Sequence, residues 1–149
     1  MTIQEALNKL PNYSIEIGVV SNNKKRTKVS YGITNAELMF IHEYGSPLRN
    51  LPARPVLQMT IDYTNKHLLQ KTIDKCINKY LSSFDEKDVE TELKRLCMKM
   101  ENYARKLIYN NDGRLVPNAP STIRAKGYNH PLFQTGQLAR SITCQLIKS

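Results

Sequence analysis

His42 beside Glu43 is the pairing in this chain that most invites a chemical reading, because an imidazole and a carboxylate together can hold a proton or a metal ion. The segment around them reads as a helix, however, and adjacent helical residues project about 100° apart, so the two cannot converge on one proton or ion. The other histidines, His67 and His130, stand in unrelated contexts. No HExxH, GxSxG, P-loop or GxGxxG pattern occurs. Asp85, Glu86 and Asp88 fit a helix start, where carboxylates complement the helix dipole. The three cysteines, Cys76, Cys97 and Cys144, are widely spaced and include no CxxC pair that could hold zinc. Cys76 and Cys97 fall on apolar helical faces, where a free thiol acts as a small hydrophobe, as expected of a chain made in a reducing cytoplasm. The chain therefore reads as non-enzymatic, with no catalytic, cofactor-binding or metal-ligating residues.

Charge says more. Lys and Arg number 22 against 13 Asp and Glu, a formal net charge of +9, which suits a polyanionic neighbour such as nucleic acid. One concentration is SNNKKRTK (21–28), expected as a mobile loop, where Lys24, Lys25, Arg26 and Lys28 could neutralise phosphates without reading bases. No aromatic residue is interleaved there, so stacking on single strands has no support. The other lies after Asp112, beyond which no acidic residue follows. The N-terminus has no apolar signal core, and no run of eighteen apolar residues exists, so neither secretion nor membrane insertion is expected.

The elements that must position these residues follow from periodicity. Residues 2–9 fit a short helix with Thr2 and Glu5 as a capping box. In YSIEIGVV (13–20), Ile15, Ile17 and Val19 alternate onto one side of a strand, and KVSYGI (28–33) is expected to pair with it as a hairpin. Thr34 or Asn35 can cap a helix over 36–45, with Leu38 and Ile41 on one face and Gly45 as its stop. Three prolines in 46–55 require an extended connection, and Pro55 suits the first position of a long helix over about 55–83. Ile61, Leu68, Leu69, Ile73, Cys76, Ile77 and Tyr80 recur there at three- and four-residue spacing. Asp85 caps a further helix, about 86–109, whose apolar stripe runs from Val89 to Ile108. So short a link makes the two helices an antiparallel pair. The pattern then dissolves over 110–120, expected to be mobile. A helical turn follows at 121–127, capped by Ser121 or Thr122, and the chain ends in a strand over 141–149. The sum is one α+β domain spanning 1–149: a small twisted antiparallel sheet packed against a long antiparallel helical pair.

Three stretches, in order, resemble a known family. They are NAELMFIHEYGSP (35–47), NLPARPVLQMTID (50–62) and APSTIRAKGYNHPLFQTGQLARSIT (119–143). Together they are similar to the virion-morphogenesis proteins of tailed phages and prophages, the tail-completion, neck or head–tail joining proteins. The matching residues include His42, Glu43, Tyr44, Gly45, Pro52, Ala53, Arg54 and Pro55, then Thr122, Lys126, Gly127, Thr135, Gly136 and Leu138. The Trp-containing segment that often precedes the last motif in that family is replaced here by LVPNAP. The resemblance implies a structural subunit that closes into a homo-oligomeric ring at the neck or tail end of a virion. Its partners would be itself, other connector or tail proteins, and genomic DNA passing through the lumen without sequence specificity. It implies no cofactor and no membrane. The alternative is a non-enzymatic nucleic-acid-binding accessory protein of the same mobile element. On the physical reading His42, Glu43, Tyr44, Arg54, Thr135 and Gly136 are scaffold or subunit-contact residues, and the Arg54 guanidinium seeks a carboxylate or backbone carbonyls, internally or across a subunit boundary.

Overall fold

The structure is a computed structural model that describes residues 1–19, 34–110, 113–126 and 137–149. The expected strand 28–33 and its hairpin lie outside the described residues, as do Lys24, Lys25, Arg26, Lys28, Thr135 and Gly136.

The first helix, α1 (Ile3–Asn8), opens on the capping box read from Thr2 and Glu5. Strand β1 (Tyr13–Val19) follows, then α2 (Asn35–Tyr44), α3 (Val56–His67), α4 (Leu69–Ser83), α5 (Glu86–Tyr109), α6 (Pro120–Lys126), α7 (Gln137–Ser141) and strand β2 (Ile142–Lys148). Among the described residues the sheet is the antiparallel pair β1–β2, with the terminal strand as a partner of β1. Ile15 faces Leu146, Ile17 faces Cys144 and Val19 faces Ile142, so the apolar alternation of the two strands falls on one side. The architecture is α+β, a small antiparallel sheet packed against long helices.

Helix α5 is the spine. Asp85 caps it through its carboxylate to the Lys87 N–H at 2.9 Å. One of its sides meets α3 and α4, the other meets the sheet and α7. Ala104, Leu107 and Ile108 join Met39, Val56, Leu138, Ala139 and Ile142 in one core. Val89 joins Ala6, Cys76 and Tyr80 in another, where the Tyr80 hydroxyl donates to the Ala6 carbonyl at 3.0 Å. On the sheet side, Arg105 and Glu101 form an ion pair at 2.7 Å. Glu101 accepts the Cys144 N–H at 3.2 Å, and Arg105 donates to the Ile142 carbonyl at 2.9 Å. A charged pair on a helix thus closes backbone groups along β2 that a further strand would otherwise fill.

Several expectations need correction. The long helix over 55–83 is two helices meeting at Leu68, where φ is −118°. Half of the buried positions along them are threonines: the Thr60, Thr64 and Thr72 hydroxyls donate to the carbonyls of Val56, Thr60 and Leu68. Such back-bonding satisfies a buried hydroxyl and can bend a helix, and the Thr72 hydroxyl makes it to Leu68 itself, the residue at the break. Ile61, Ile73 and Ile77, read as the core stripe, lie at its exposed edge. Pro55 is the residue before the helix, not its first. In α2 the buried residue is Met39, with Leu38 only half-buried. Helix α6 begins at Pro120, one residue before the expected cap positions, because proline needs no N–H partner in a first turn.

Between α4 and α5, the buried Glu92 carboxylate takes Lys79 and, at 2.7 Å, Arg95. The hydrogen bond from Lys79 outweighs the opposing effect of burial and holds the Glu92 carboxyl below its usual range. A depressed folded value stabilises the fold above the unfolded carboxylate value of about 4.3. That contribution is lost as pH falls through the folded value. Glu92→Gln should therefore lower stability by about 1–2 kcal/mol at pH 7. The gap from the wild type should shrink as urea denaturation is repeated from pH 6 down to pH 3.

Candidate functional site

The motif residues from His42 to Pro55 fold into one clamp. Thr34 starts α2 with a capping box to Glu37. Gly45 ends it at φ +72°, in the left-handed half of the map that favours glycine. A Cβ there would stand 2.7 Å from the Leu51 carbonyl oxygen and 2.8 Å from the Ala53 nitrogen, so the position excludes any side chain. The chain leaves Gly45 into a small loop closed by Ser46 and Leu51, whose N–H groups each donate to the other's carbonyl at 2.9 Å. A 3₁₀ turn, Pro47–Arg49, forms its tip, and Asn50 returns the chain with φ +51°.

Glu43 then acts at a distance. Pro55 precedes α3 and offers no side-chain cap. In its place the Glu43 carboxylate accepts the N–H groups of Leu57 at 3.0 Å and Gln58 at 2.7 Å. Two first-turn donors are satisfied, and a negative charge sits at the positive end of the helix. The His42 carbonyl accepts the Arg54 N–H at 2.7 Å, tying the same two segments a second time.

Arg54 makes the third tie. Its side chain is buried, at 6% exposure, and it donates through Nε to the Val116 carbonyl at 2.7 Å and through Nη2 to the Pro117 carbonyl at 2.8 Å. Of the partners its chemistry allowed, the guanidinium takes backbone carbonyls of its own chain. Burial pushes its pKa down from the usual arginine value. The segment that receives it is anchored further by buried Leu115.

The polar groups of the motif so described serve the fold, while apolar ones stand out from it. Leu48, at the loop tip, is 99% exposed. Phe40 and Tyr44, one turn apart on α2, are 65% and 69% exposed with ring centroids 4.8 Å apart. The two rings border a groove of 340 Å³ that also meets Ile17, Val19, Leu57 and Ile61. Its carboxylate, Glu43, is already committed to α3. Among the described residues no group of three His, Cys, Asp or Glu side chains could hold a metal ion, and no helix is long and apolar enough to cross a membrane.

Of the residues singled out from sequence, the structure brings His42, Glu43, Tyr44 and Arg54 together. Phe40 and Leu48 were missed, because a surface leucine or phenylalanine has no signature in a linear pattern. The Arg54 partners, the Val116 and Pro117 carbonyls, lie more than sixty residues away in sequence and left no signal there. Comparison of the chain with protein-family models, with curated proteins and with solved structures finds no match.

Two substitutions test the clamp. Arg54→Lys keeps the charge but loses the forked donor geometry, and should cost about 1.5–3 kcal/mol in chemical denaturation. Gly45→Ala meets both backbone strain and a backbone clash, and should cost at least about 1–3 kcal/mol. A loss below 0.5 kcal/mol (roughly the noise of surface substitutions) for both would show that the clamp does not hold the fold.

Proposed function

We propose that this chain is a structural subunit of a tailed phage or phage-derived particle, closing into a ring at the neck, the head–tail junction or the tail end. The observation that carries the reading is the division of labour in the HEYGSP–LPARP stretch. Glu43, Arg54 and the His42 and Ser46 backbone brace a hydrogen-bonded loop, and that brace holds Leu48, Phe40 and Tyr44 in solvent. Rigid, exposed apolar side chains on a well-fixed support are what a protein contact uses, since little freedom is lost when they are buried. A head-to-tail contact of this kind makes a ring when its rotation closes. The motifs that resemble the virion-morphogenesis family add to the reading, and the family role implies non-enzymatic work in the virion, among other connector or tail proteins.

The second reading, a nucleic-acid-binding accessory protein of the same mobile element, is supported by the net charge of +9. The two differ in what self-association requires. For a ring subunit, light scattering at tens of micromolar should give a multimer that Leu48→Asp with Tyr44→Ser reduces to monomer without lowering the unfolding midpoint. Mass spectrometry of purified particles should find the protein at a fixed copy number. A chain that stays monomeric at all concentrations and is missing from intact particles would sink the ring reading.

A further inference from the structure

We propose that the flank shared by α4 and α5 is a binding face for the phosphate backbone of duplex DNA. The inference rests on the nucleic-acid element common to both readings above and needs no ring. Lys71, Lys75 and Lys79 recur at four-residue spacing on α4 and therefore form one row about 12 Å long. On α5, Arg95, Lys99 and Lys106 fall within about 40° of one another around the helix axis and form a second row. The two rows adjoin, because Lys79 and Arg95 meet on the same Glu92 carboxylate and Lys75 acts on it as well. That carboxylate is buried beneath them, so it organises the cations without presenting a negative charge to solvent. The one acidic residue of α4, Asp74, lies about 60° around the helix from Lys71 and about 100° from Lys75, and it accepts the Gln70 amide. On α5, Asp88, about 20° from Arg95, lies at the far end of its row and accepts the Ser83 hydroxyl.

Duplex DNA carries one charge per about 1.7 Å of its axis, so a 12 Å row faces about seven phosphates. Six cations on two parallel rows match that density. At one end of the face Tyr63 and Tyr103 stack with centroids 4.1 Å apart and planes 7° from parallel. His67 lies 4.8 Å from the Tyr63 ring, tilted to it by 43°, and the Arg114 guanidinium lies 5.6 Å from the Tyr103 centroid. With cations in two rows and these rings engaged with one another, the surface offers more to phosphates than to bases. It fits contact with the backbone, without sequence preference.

The test uses the full chain and a fluorescein-labelled 30-base-pair duplex in anisotropy titrations from 50 to 300 mM salt. The variant is Lys71→Gln with Lys75→Gln and Lys99→Gln, which spares Lys79 and Arg95 so that Glu92 keeps its partners. Each phosphate contact contributes a slope of about −0.9 to log K against log salt, so the variant should lose roughly three units of slope. The duplex should compete better than the matching single strand. Protection of lysines from acetylation by the duplex gives an independent readout on the wild type: Lys71, Lys75 and Lys99 should be shielded, Lys87 and Lys94 on another side of α5 should not. Absence of duplex binding at 50 mM salt would overturn the proposal. So would unaltered binding by the variant together with loss on replacing Lys24, Lys25, Arg26 and Lys28 with Gln. Self-association is read separately by light scattering, so failure of the ring and failure of this face give different results.

Discussion

A helix of 24 residues that is apolar on two sides cannot stand at the edge of a fold, and α5 imposes this constraint on everything else. Leu96, Met100 and Leu107 call for cover on one side, Cys97, Ala104 and Ile108 on another, and all six are buried. The bent arm of α3 and α4 supplies one cover and the β1–β2 sheet with α7 the other. Burying six such side chains stabilises the fold by roughly 1.5–3 kcal/mol for each large one. Two segments far apart in sequence are recruited to do it: β1 (Tyr13–Val19) and β2 (Ile142–Lys148) pair with each other and both contact α5. Lys148 is held there by Glu86 and Glu90, and Tyr13 reaches Glu90 at 3.4 Å, so the N-terminal end of α5 is tied to both strands at once.

The clamp follows from the same constraint. An arm that must lie along α5 has to enter at a fixed angle, and a chain carrying Pro52 and Pro55 has few backbone donors with which to fix it. Glu43 and the His42 carbonyl supply the missing partners from α2, while Arg54 reaches across to the segment that follows α5. Three parts of the chain distant in sequence are thereby joined within one set of hydrogen bonds. A buried guanidinium is a costly group to leave unpaired, which makes the arrangement specific: moving the 113–119 segment would strand the charge.

How much of this could be read from residues depends on whether the cause was local. The caps at Thr2, Thr34 and Asp85, the stop at Gly45 and the span of α5 are local, since each follows from a side chain and its own backbone a few residues away. The break at Leu68 was hidden because Ile61, Ile73 and Ile77 make a helical stripe as convincing as the true one, and threonines that bury their hydroxyls look polar in any pattern. Glu43 capping α3 and Arg54 holding Val116 and Pro117 depend on tertiary proximity, for which spacing offers no signal. The motif stretch was legible as scaffold, but its exposed apolar members were not, since exposure is a property of the fold. The cations on α4 and α5 were passed over in favour of the denser run at 24–28, because a face is assembled from two helices and a run is visible in one line.

The α4 row of the basic flank and the exposed apolar side chains of the loop and α2 lie on opposite sides of the bend at Leu68. Leu48, Phe40 and Tyr44 stand beside the start of α3, whereas Lys71, Lys75 and Lys79 lie 15 to 23 residues beyond Val56, roughly 20–35 Å along the helices at 1.5 Å per residue. Charge beyond a Debye length of about 8 Å is largely screened at physiological ionic strength, so a row past the bend bears little on an apolar contact before it. A subunit built this way could join its neighbours through one end while its basic flank stays free for a polyanion. Were the cations clustered around Leu48, Phe40 and Tyr44 instead, each subunit contact would have to bring like charges together and would weaken at low salt. The bent arm separates the two demands, and its rigidity comes from α5 beneath it. The constraint that organises the core is thus also what keeps the two surfaces apart.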